Sequence, residues 1–347
     1  MQLLPYLLTA GLFGQALAVS MSSRFTVSST CSTSKVNDML DETIDMVKVA
    51  IAGIDTLLNA GIRVKPTFAT AEISALMNAA RFVWGVQSPG TWATSLSADD
   101  TNQLKQAQGF WYIIRQDYTD MNAANYQKLY AALNSGTGMN PSENTLFCDD
   151  STLKLTTKAA DVFPGAAATQ TVEQYFQAQG AKDLTLFKNG IWKDPDHKRQ
   201  KNAYYNFFID EYDGSPMCGS GAAEAITYWN SGNMLLCPKA FDSSNYKTSL
   251  SSMRTTTTEV TWNNVRSLPG IFLHEMMHFL DLKPHVIDEK VAGDNGKPIS
   301  AYGLIACWML SGQAGTKTVD KSKALTNADS YNVFATMAYL PSAQFVG

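Results

Sequence analysis

Apolar residues recur along residues 36–60 at intervals of three to five positions, which is the repeat of one face of an α-helix. These apolar positions are Met39, Ile44, Val47, Ile51, Ile54 and Leu58. Similar patterns predict further helices over 70–86, 97–118 and 121–134. The N-terminal part of the chain, from about 35 to 135, is therefore predicted to be largely helical.

The second half of the chain has shorter apolar segments that are separated by turn-forming residues. Residues 226–229 and 234–237 flank an Asn-Ser-Gly-Asn turn, which predicts a strand, a turn and a second strand. We expect the second strand to lie at a sheet edge and to pair there with an extended peptide. A strongly apolar helix is predicted to start near Leu268-Pro269-Gly270. Helices followed by a small sheet predict an α+β fold.

Residues 1–18 are mostly apolar, carry no charged side chain and end in Ala16-Leu17-Ala18. This pattern is typical of a secretory signal peptide that is cleaved after Ala18. We expect a mature chain that starts at Val19 and is secreted into an oxidising, extracellular environment. No later apolar run is long enough to cross a bilayer, so no membrane association is expected after cleavage. A further pro-segment is compatible with the sequence.

The sequence contains five cysteines, so two disulfide bridges would leave one thiol free. Cys218 and Cys237 flank a turn-rich stretch and are the preferred pair. Cys31 and Cys148 are expected to form the second bridge. Cys307 lies in an apolar run and is expected to be a buried free thiol.

Composition and charge change this picture little, but they exclude some functions. Hydrophobic residues make up 45% of the chain and charged residues 17%, which is too apolar for a disordered protein. The net charge is −4, from 27 Lys and Arg against 31 Asp and Glu, which argues against a nucleic-acid-binding protein. We expect a monomer without nucleic-acid partners.

The chain has only four histidines, and two of them lie in the pentapeptide His274-Glu275-Met276-Met277-His278. Residues i and i+4 share one face of a helix, so both imidazoles can reach one metal ion. Glu275 lies beside them, where it can hold and deprotonate a water bound to that metal. The expected ion is Zn²⁺, one per chain, because imidazoles and one carboxylate leave a fourth position open for water.

The third metal ligand is predicted to be an aspartate. Position 284, where one zinc-protease pattern has a third histidine, is Pro284, and Glu289 is the only glutamate after the motif. Asp288 is preferred because its distance from the motif lets the chain leave the helix and return to the metal. Asp281 and Asp294 remain alternatives. The other downstream aspartates are Asp320 and Asp329.

The sequence resembles the aspzincins, the family of secreted fungal zinc proteases that includes deuterolysin and the lysine-specific metallo-endopeptidases. The matching elements are His274-Glu275-x-x-His278, Ala301-Tyr302-Gly303, and Asn327-Ala328-Asp329-Ser330-Tyr331 with Phe334-Ala335. The family places its aspartate ligand three residues before the tyrosine, where this chain has Ile299. The resemblance is therefore to a divergent member.

The resemblance implies a zincin-like metallopeptidase fold in one catalytic domain over 19–347, with the metal site within about 220–347. An active-site helix carrying 274–278 would lie beneath a small twisted sheet. The implied function is a secreted zinc endopeptidase that hydrolyses peptide bonds of peptide or protein substrates, with Glu275 as general base.

Two further residues receive roles from the resemblance. Tyr302 would donate a hydrogen bond to the oxyanion, and Asp329 would orient a histidine ligand. Each also has a structural interpretation, because Tyr302 could be a core aromatic before a turn glycine, and Asp329 could be a helix-start or capping residue at Asn327-Ala328-Asp329.

Two other functions compete with the peptidase. One is a catalytically silent zincin homologue that acts as a secreted zinc-binding or partner-binding protein, which the displaced aspartate favours. The other is a structural secreted protein in which the motif is incidental. Glu275 favours the enzyme, because a protein that only binds metal needs the histidines but not this carboxylate.

Overall fold

A computed structural model describes residues 19–62, 71–84, 120–198, 205–211, 213–219, 223–228, 231–280, 282, 285–293, 296–311 and 322–346. This part of the chain combines α-helices with small β-sheets, so the predicted α+β class is confirmed. None of the described helices has both the length and the apolar character that crossing a bilayer requires.

Helices dominate both ends of the described chain. The α-helices are α1 (Thr33–Ile62), α2 (Ala71–Trp84), α3 (Asp120–Tyr130), α4 (Val172–Ala178), α5 (Trp262–Val265), α6 (Leu268–Phe279), α7 (Gly303–Leu310), α8 (Ser322–Thr326) and α9 (Ala328–Tyr339). A π-helical turn, Ala131–Ser135, continues α3. The helices predicted over 36–60, 70–86 and 121–134 are therefore confirmed apart from their ends, whereas 1–18 and 97–118 lie outside the described residues.

The strands are short and form four small sheets among the described residues. They are β1 (Thr26–Val27), β2 (Thr145–Phe147), β3 (Lys154–Thr156), β4 (Ile191–Lys198), β5 (Tyr205–Ile209), β6 (Ala225–Tyr228), β7 (Asn233–Leu236), β8 (Glu259–Thr261), β9 (Lys290–Ala292), β10 (Pro298–Ser300) and β11 (Gln344–Val346). The largest sheet has the order β1-β2-β7-β6, with β1, β2 and β7 parallel and β6 antiparallel to β7. Strands β3-β4-β5 and β9-β10 are antiparallel, and β8 pairs in parallel with β11.

The strand predicted over 234–237 is not an edge strand, so that prediction is wrong. It corresponds to β7, which pairs with β2 on one side and with β6 on the other. All its side chains are buried, because Met234 faces the main apolar core and Leu235 faces a smaller apolar cluster around Phe208. The turn sequence specifies the pairing of β6 with β7, but it carries no information about β2. Among the described strands, β6 is the edge of this sheet next to β7.

The main apolar core joins the N-terminal helices to the last part of the chain. Helices α1 and α2 pack against α9, and α1 and α9 both pack against α6. Aromatic contacts hold these helices together: the ring centroids of Trp84 and Phe334 are 4.3 Å apart, and those of Tyr126 and Tyr331 are 5.3 Å apart. The helices before residue 136 therefore share a core with the helix that carries the His-Glu-x-x-His motif.

The two predicted disulfides are present. Cys31 pairs with Cys148, and Cys218 pairs with Cys237. Cys307 is a free, buried thiol on α7, and its sulfur lies 3.7 Å from the carbonyl oxygen of Ala301. The pairing is compatible with an oxidising compartment.

Candidate metal centre

The helix that carries the predicted metal ligands, α6, has a well-defined start. Ser267 is its N-cap, and the side-chain oxygen of Ser267 accepts a hydrogen bond from the amide of Gly270 at 3.2 Å. Pro269 lies in the first turn, where its missing N–H costs nothing. Phe272 and Met276 are fully buried in the main core. This burial fixes the orientation of α6 and thereby places His274 and His278 one turn apart on one face.

The imidazoles of His274 and His278 and the carboxylate of Asp288 converge on one point. The two Nε2 atoms are 3.1 Å apart, and each lies 3.1 Å from Oδ1 of Asp288. Three ligands of a tetrahedral zinc ion with metal–ligand distances of about 2.0–2.1 Å lie about 3.3 Å from one another. The triangle has nearly this size, so the three side chains are spaced to hold a metal ion.

The loop that carries Asp288 is fixed on both sides of this residue by the segment before α9. The amide of Ile287 donates to the carbonyl oxygen of Thr326 at 2.7 Å. The amide of Glu289 donates to the side-chain oxygen of Asn327 at 3.2 Å, and Asn327 is fully buried. These bonds hold Asp288 in place independently of any metal.

The second ring nitrogen of each histidine is also hydrogen-bonded. Nδ1 of His274 lies 3.3 Å from Oδ1 of Asp329, and Nδ1 of His278 lies 3.1 Å from the carbonyl oxygen of Val286. Both partners are acceptors, so we assign the proton of the neutral imidazole to Nδ1 in each case. The lone pair of each Nε2 is then directed at the centre of the triangle.

Asp329 lies in the first turn of α9, as the helix-start interpretation expects, although the N-cap itself is Asn327, and its carboxylate is also within hydrogen-bond distance of His274. Its carboxylate also accepts hydrogen bonds from the amide of Gly303 and from the side chain of Asn332. Burial raises the pKa of the Asp329 carboxyl, but the bonds with His274, Gly303 and Asn332 outweigh it and hold the pKa below its usual value. Asp329 is thus a buried anion with a full set of donors.

Gly303 has to be a glycine at this place. Its φ is +76°, and a Cβ atom there would lie 2.7 Å from the Trp262 side chain. Any larger residue would displace the amide that binds Asp329. These two constraints explain why a glycine follows Tyr302 in the sequence.

Tyr302 is not a core aromatic, because 54% of its surface is exposed. Its hydroxyl donates to Oδ2 of Asp288 at 2.8 Å, and its ring lies edge-on to that of His274, with 5.6 Å between the centroids. The Tyr302 hydroxyl therefore donates its hydrogen bond to the oxygen of the Asp288 carboxylate that does not face the histidines.

Negative charge surrounds the triangle. Glu275 follows His274 directly on α6 and is buried, and its negative charge acts on both His274 and Tyr302. Burial opposes protonation of His274, but the hydrogen bonds with Asp288 and Asp329 and the charge of Glu275 raise the pKa of His274 well above its usual value. The same carboxylates favour a metal cation at this point.

The predicted site residues His274, His278, Asp288, Tyr302 and Asp329 are in contact with one another in the structure, and Glu275 is the buried neighbour of His274 on α6. The alternatives Asp281, Asp294 and Asp320 lie outside the described residues. Sequence reasoning missed the carbonyl of Val286, the side chain of Asn332 and the anchoring role of Asn327. A backbone carbonyl is present in every residue, so Val286 had no sequence signal, whereas Asn327 precedes Asp329 in a motif already noted.

Comparisons with models of known protein families, with curated proteins and with solved structures found no match. Function is therefore inferred from the chemistry of the site itself.

Proposed function

We propose that this protein is a secreted zinc endopeptidase, a divergent aspzincin-like enzyme. The observation that supports this most is the triangle of His274 Nε2, His278 Nε2 and Asp288 Oδ1, together with the buried Glu275 that follows His274 on α6. Two imidazoles and one carboxylate are a ligand set typical of catalytic zinc, with one position open. The disulfides and the apolar leader support secretion.

Zinc, when bound here, would supply a Lewis acid that polarises the scissile carbonyl. The chain's own residues orient the ligands, transfer the proton and stabilise the negative charge that develops on the substrate. Asp329 and the carbonyl of Val286 hold the imidazoles with Nε2 free. The carboxylate of Glu275 accepts a proton from the attacking water and passes it to the leaving amine. The hydroxyl of Tyr302 turns from Oδ2 of Asp288 to donate to the carbonyl oxygen that becomes negative.

Strand β6 is the proposed binding edge for the substrate. The hydroxyl of Thr227, on β6, donates to the backbone carbonyl of Glu275 at 3.3 Å, so the strand runs beside the site. An extended peptide can add to such an edge through main-chain hydrogen bonds. Ile287, Ile299 and Ile305 expose 43%, 49% and 55% of their surfaces and flank Asp288 and Tyr302 in the sequence. They favour extended substrates with apolar side chains near the cleaved bond.

The test combines metal content with peptide cleavage. We expect elemental analysis of the purified protein to find one zinc per chain, and a quenched peptide library to be hydrolysed. Glu275→Gln should keep zinc and lose about 10²–10⁴-fold in activity, because only the proton transfer is removed. Glu259→Gln, an exposed carboxyl on β8, is the matched control and should change neither quantity.

Asp288→Ala should lose both zinc and activity, whereas Tyr302→Phe should keep zinc because the three ligand atoms remain. Near-parental activity of Glu275→Gln would contradict the proposed mechanism. Bound zinc without hydrolysis of any peptide in the library would instead support the silent, zinc-binding or partner-binding homologue.

A further inference from the structure

Strand β6, the proposed binding edge for the substrate, presents a defined set of main-chain groups. The carbonyl oxygen of Glu224, the residue before β6, accepts a hydrogen bond from the amide of Cys237, directly after β7, at 2.8 Å. In an antiparallel pair, every second residue directs its main-chain groups to the partner strand. Those of Ala225 and Thr227 therefore point away from β7, to the side where no described strand pairs with β6.

Two links attach this strand to α6, the helix that carries the histidine ligands. Strand and helix pack along each other, and the hydroxyl of Thr227 donates to the carbonyl oxygen of Glu275 at 3.3 Å. The second link is an ion pair, in which Nη2 of Arg266 lies 2.7 Å from both carboxylate oxygens of Glu224. Arg266 directly precedes Ser267, the N-cap of α6. The ion pair thus joins the start of the strand to the start of the helix.

Arg266 and Glu224 are themselves held in place by a neighbouring segment. The amide of Lys247 donates to the carbonyl oxygen of Arg266 at 2.8 Å. The guanidinium carbon of Arg266 lies 4.8 Å from the centroid of the buried Tyr246 ring, and the hydroxyl of Tyr246 donates to Oε1 of Glu224. A carboxylate with several fixed donors keeps one geometry, in contrast to an isolated surface pair.

We propose that Glu224 and Arg266 are positioning residues for the substrate. Their ion pair holds β6 beside α6 before a peptide arrives, so that a peptide bound to Ala225 and Thr227 lies with its scissile bond at the metal centre. The pair acts through the placement of the strand, because a preformed edge does not have to be ordered when the peptide binds. This inference rests on the proposed peptidase function.

The experiment measures kcat and KM on the peptide of the quenched library that the parent hydrolyses best. Arg266→Gln and Glu224→Gln should each raise the KM about tenfold, because they weaken peptide binding before the reaction. The kcat and the zinc content should stay at the parental values. The double variant should have no higher KM than the more harmful single change, because both remove the same ion pair.

The controls separate positioning from stability. Lys48→Gln breaks another partly exposed ion pair, within α1, and should leave the KM unchanged. Because 36% of the Arg266 side chain and 25% of the Glu224 side chain are exposed, we expect only a small change in Tm in either variant. A lower Tm together with a parental KM would mean that the pair only stabilises the fold, and would overturn the proposal.

Peptide binding is also measured without hydrolysis, by fluorescence anisotropy in the Glu275→Gln background. The Kd of the same peptide should rise about tenfold when Arg266→Gln is added, as the KM does. Forms of the peptide that are N-methylated at one amide each should bind more weakly at alternate positions, because every second amide of the peptide faces β6. A Kd that Arg266→Gln leaves unchanged, or an equal effect of methylation at successive amides, would contradict the proposal.

If Arg266→Gln and Glu224→Gln do not fold, Tyr246→Phe replaces them, since it removes one donor to Glu224 and keeps the ring beside Arg266. It should raise the KM several-fold, and a parental KM would again overturn the proposal. A parental KM in active, zinc-containing variants rejects this inference alone. A parent with neither zinc nor hydrolysis rejects the peptidase function and this inference with it.

Discussion

Asp329 connects the candidate metal centre to the core. Its carboxylate touches His274 on α6, the first amide of α7 and Asn332 on its own helix, α9. A partner of this kind sets the orientation of the imidazole and raises its basicity toward a metal. Asp329 is therefore expected to affect metal binding although it is not itself one of the three candidate ligands.

We predict that Asp329→Asn weakens zinc binding by about 10–100-fold, because the amide keeps the shape of the side chain but loses its charge. Competition with a chromophoric chelator measures this affinity. Asp242→Asn, an exposed carboxylate in a turn of its own, should leave the affinity unchanged. An unchanged affinity in Asp329→Asn would show that this carboxylate does not support the ligand histidine.

At the scale of single residues, the sequence predicts what local spacing determines. His274 and His278 follow from the helical repeat, and Asp288 is preferred among the downstream aspartates because its distance from the motif lets the chain return to the metal, with Asp281 and Asp294 left open. The contact between His274 and Asp329 joins residues 55 positions apart, and no local pattern encodes such a contact. Only the resemblance suggested it.

At the scale of elements, the packing of α6 against α9 depends on Gly270. A Cβ atom at this position would lie 2.6 Å from the side-chain oxygen of Asn332 and 3.1 Å from that of Ser267. Asn332 also donates to Asp329, so a change at Gly270 reaches the metal centre through one side chain. The glycine allows the two helices to approach closely.

We predict that Gly270→Ala lowers the free energy of unfolding by about 1–2 kcal/mol, because the added methyl group forces Asn332 to move. Denaturant unfolding measures the loss. Gly53→Ala on α1 is the control, since its Cβ would meet only the flexible end of Leu76. In the Asn332→Ala background, Gly270→Ala should lower the free energy of unfolding by less than it does in the parent. An equal loss in both backgrounds would mean that the added methyl group does not act through Asn332.

The elements themselves were predictable where one helix face or one turn dominates, as in α1 and the β6–β7 pair. The position of β7 inside its sheet could not be predicted, because its second partner, β2, comes from a distant part of the chain. The burial of all four residues of β7 reflects cover on both faces, which a short apolar run alone does not distinguish from cover on one face.

At the scale of the whole molecule, the two disulfides close loops of very different length. Cys31 and Cys148 are 117 residues apart, and Cys218 and Cys237 are 19 apart. A longer loop removes more entropy from the unfolded chain when it is closed. The first bridge should therefore contribute more to stability.

We predict that replacing both cysteines of the Cys31–Cys148 bridge with serine costs about 1.5 kcal/mol more than the same change at Cys218–Cys237. Denaturant unfolding of the two double variants under identical conditions measures this difference. An equal loss in both would mean that strain or residual structure in the unfolded chain offsets the effect of loop length.

Metal binding should also be visible in the stability of the entire chain. We predict that free zinc at about 100 times its dissociation constant raises the free energy of unfolding by about 2.7 kcal/mol. Thermal unfolding with and without a chelator measures the shift. Asp288→Ala should show no shift, and magnesium should not replace zinc, because its preferred octahedral oxygen ligands are absent from this triangle. A shift that persists in Asp288→Ala would place the zinc elsewhere.

The buried thiol of Cys307 has a consequence for how the chain acquires its native pairing. Five cysteines allow many more two-bridge patterns than the three that four cysteines allow. A thiolate attacks disulfides only when it is exposed, so Cys307 becomes inert once α7 is packed. During oxidative folding, we expect chains that bury α7 before their thiols oxidise to reach the native pairing more often than chains that oxidise first, because only the latter expose Cys307 as a competing thiol.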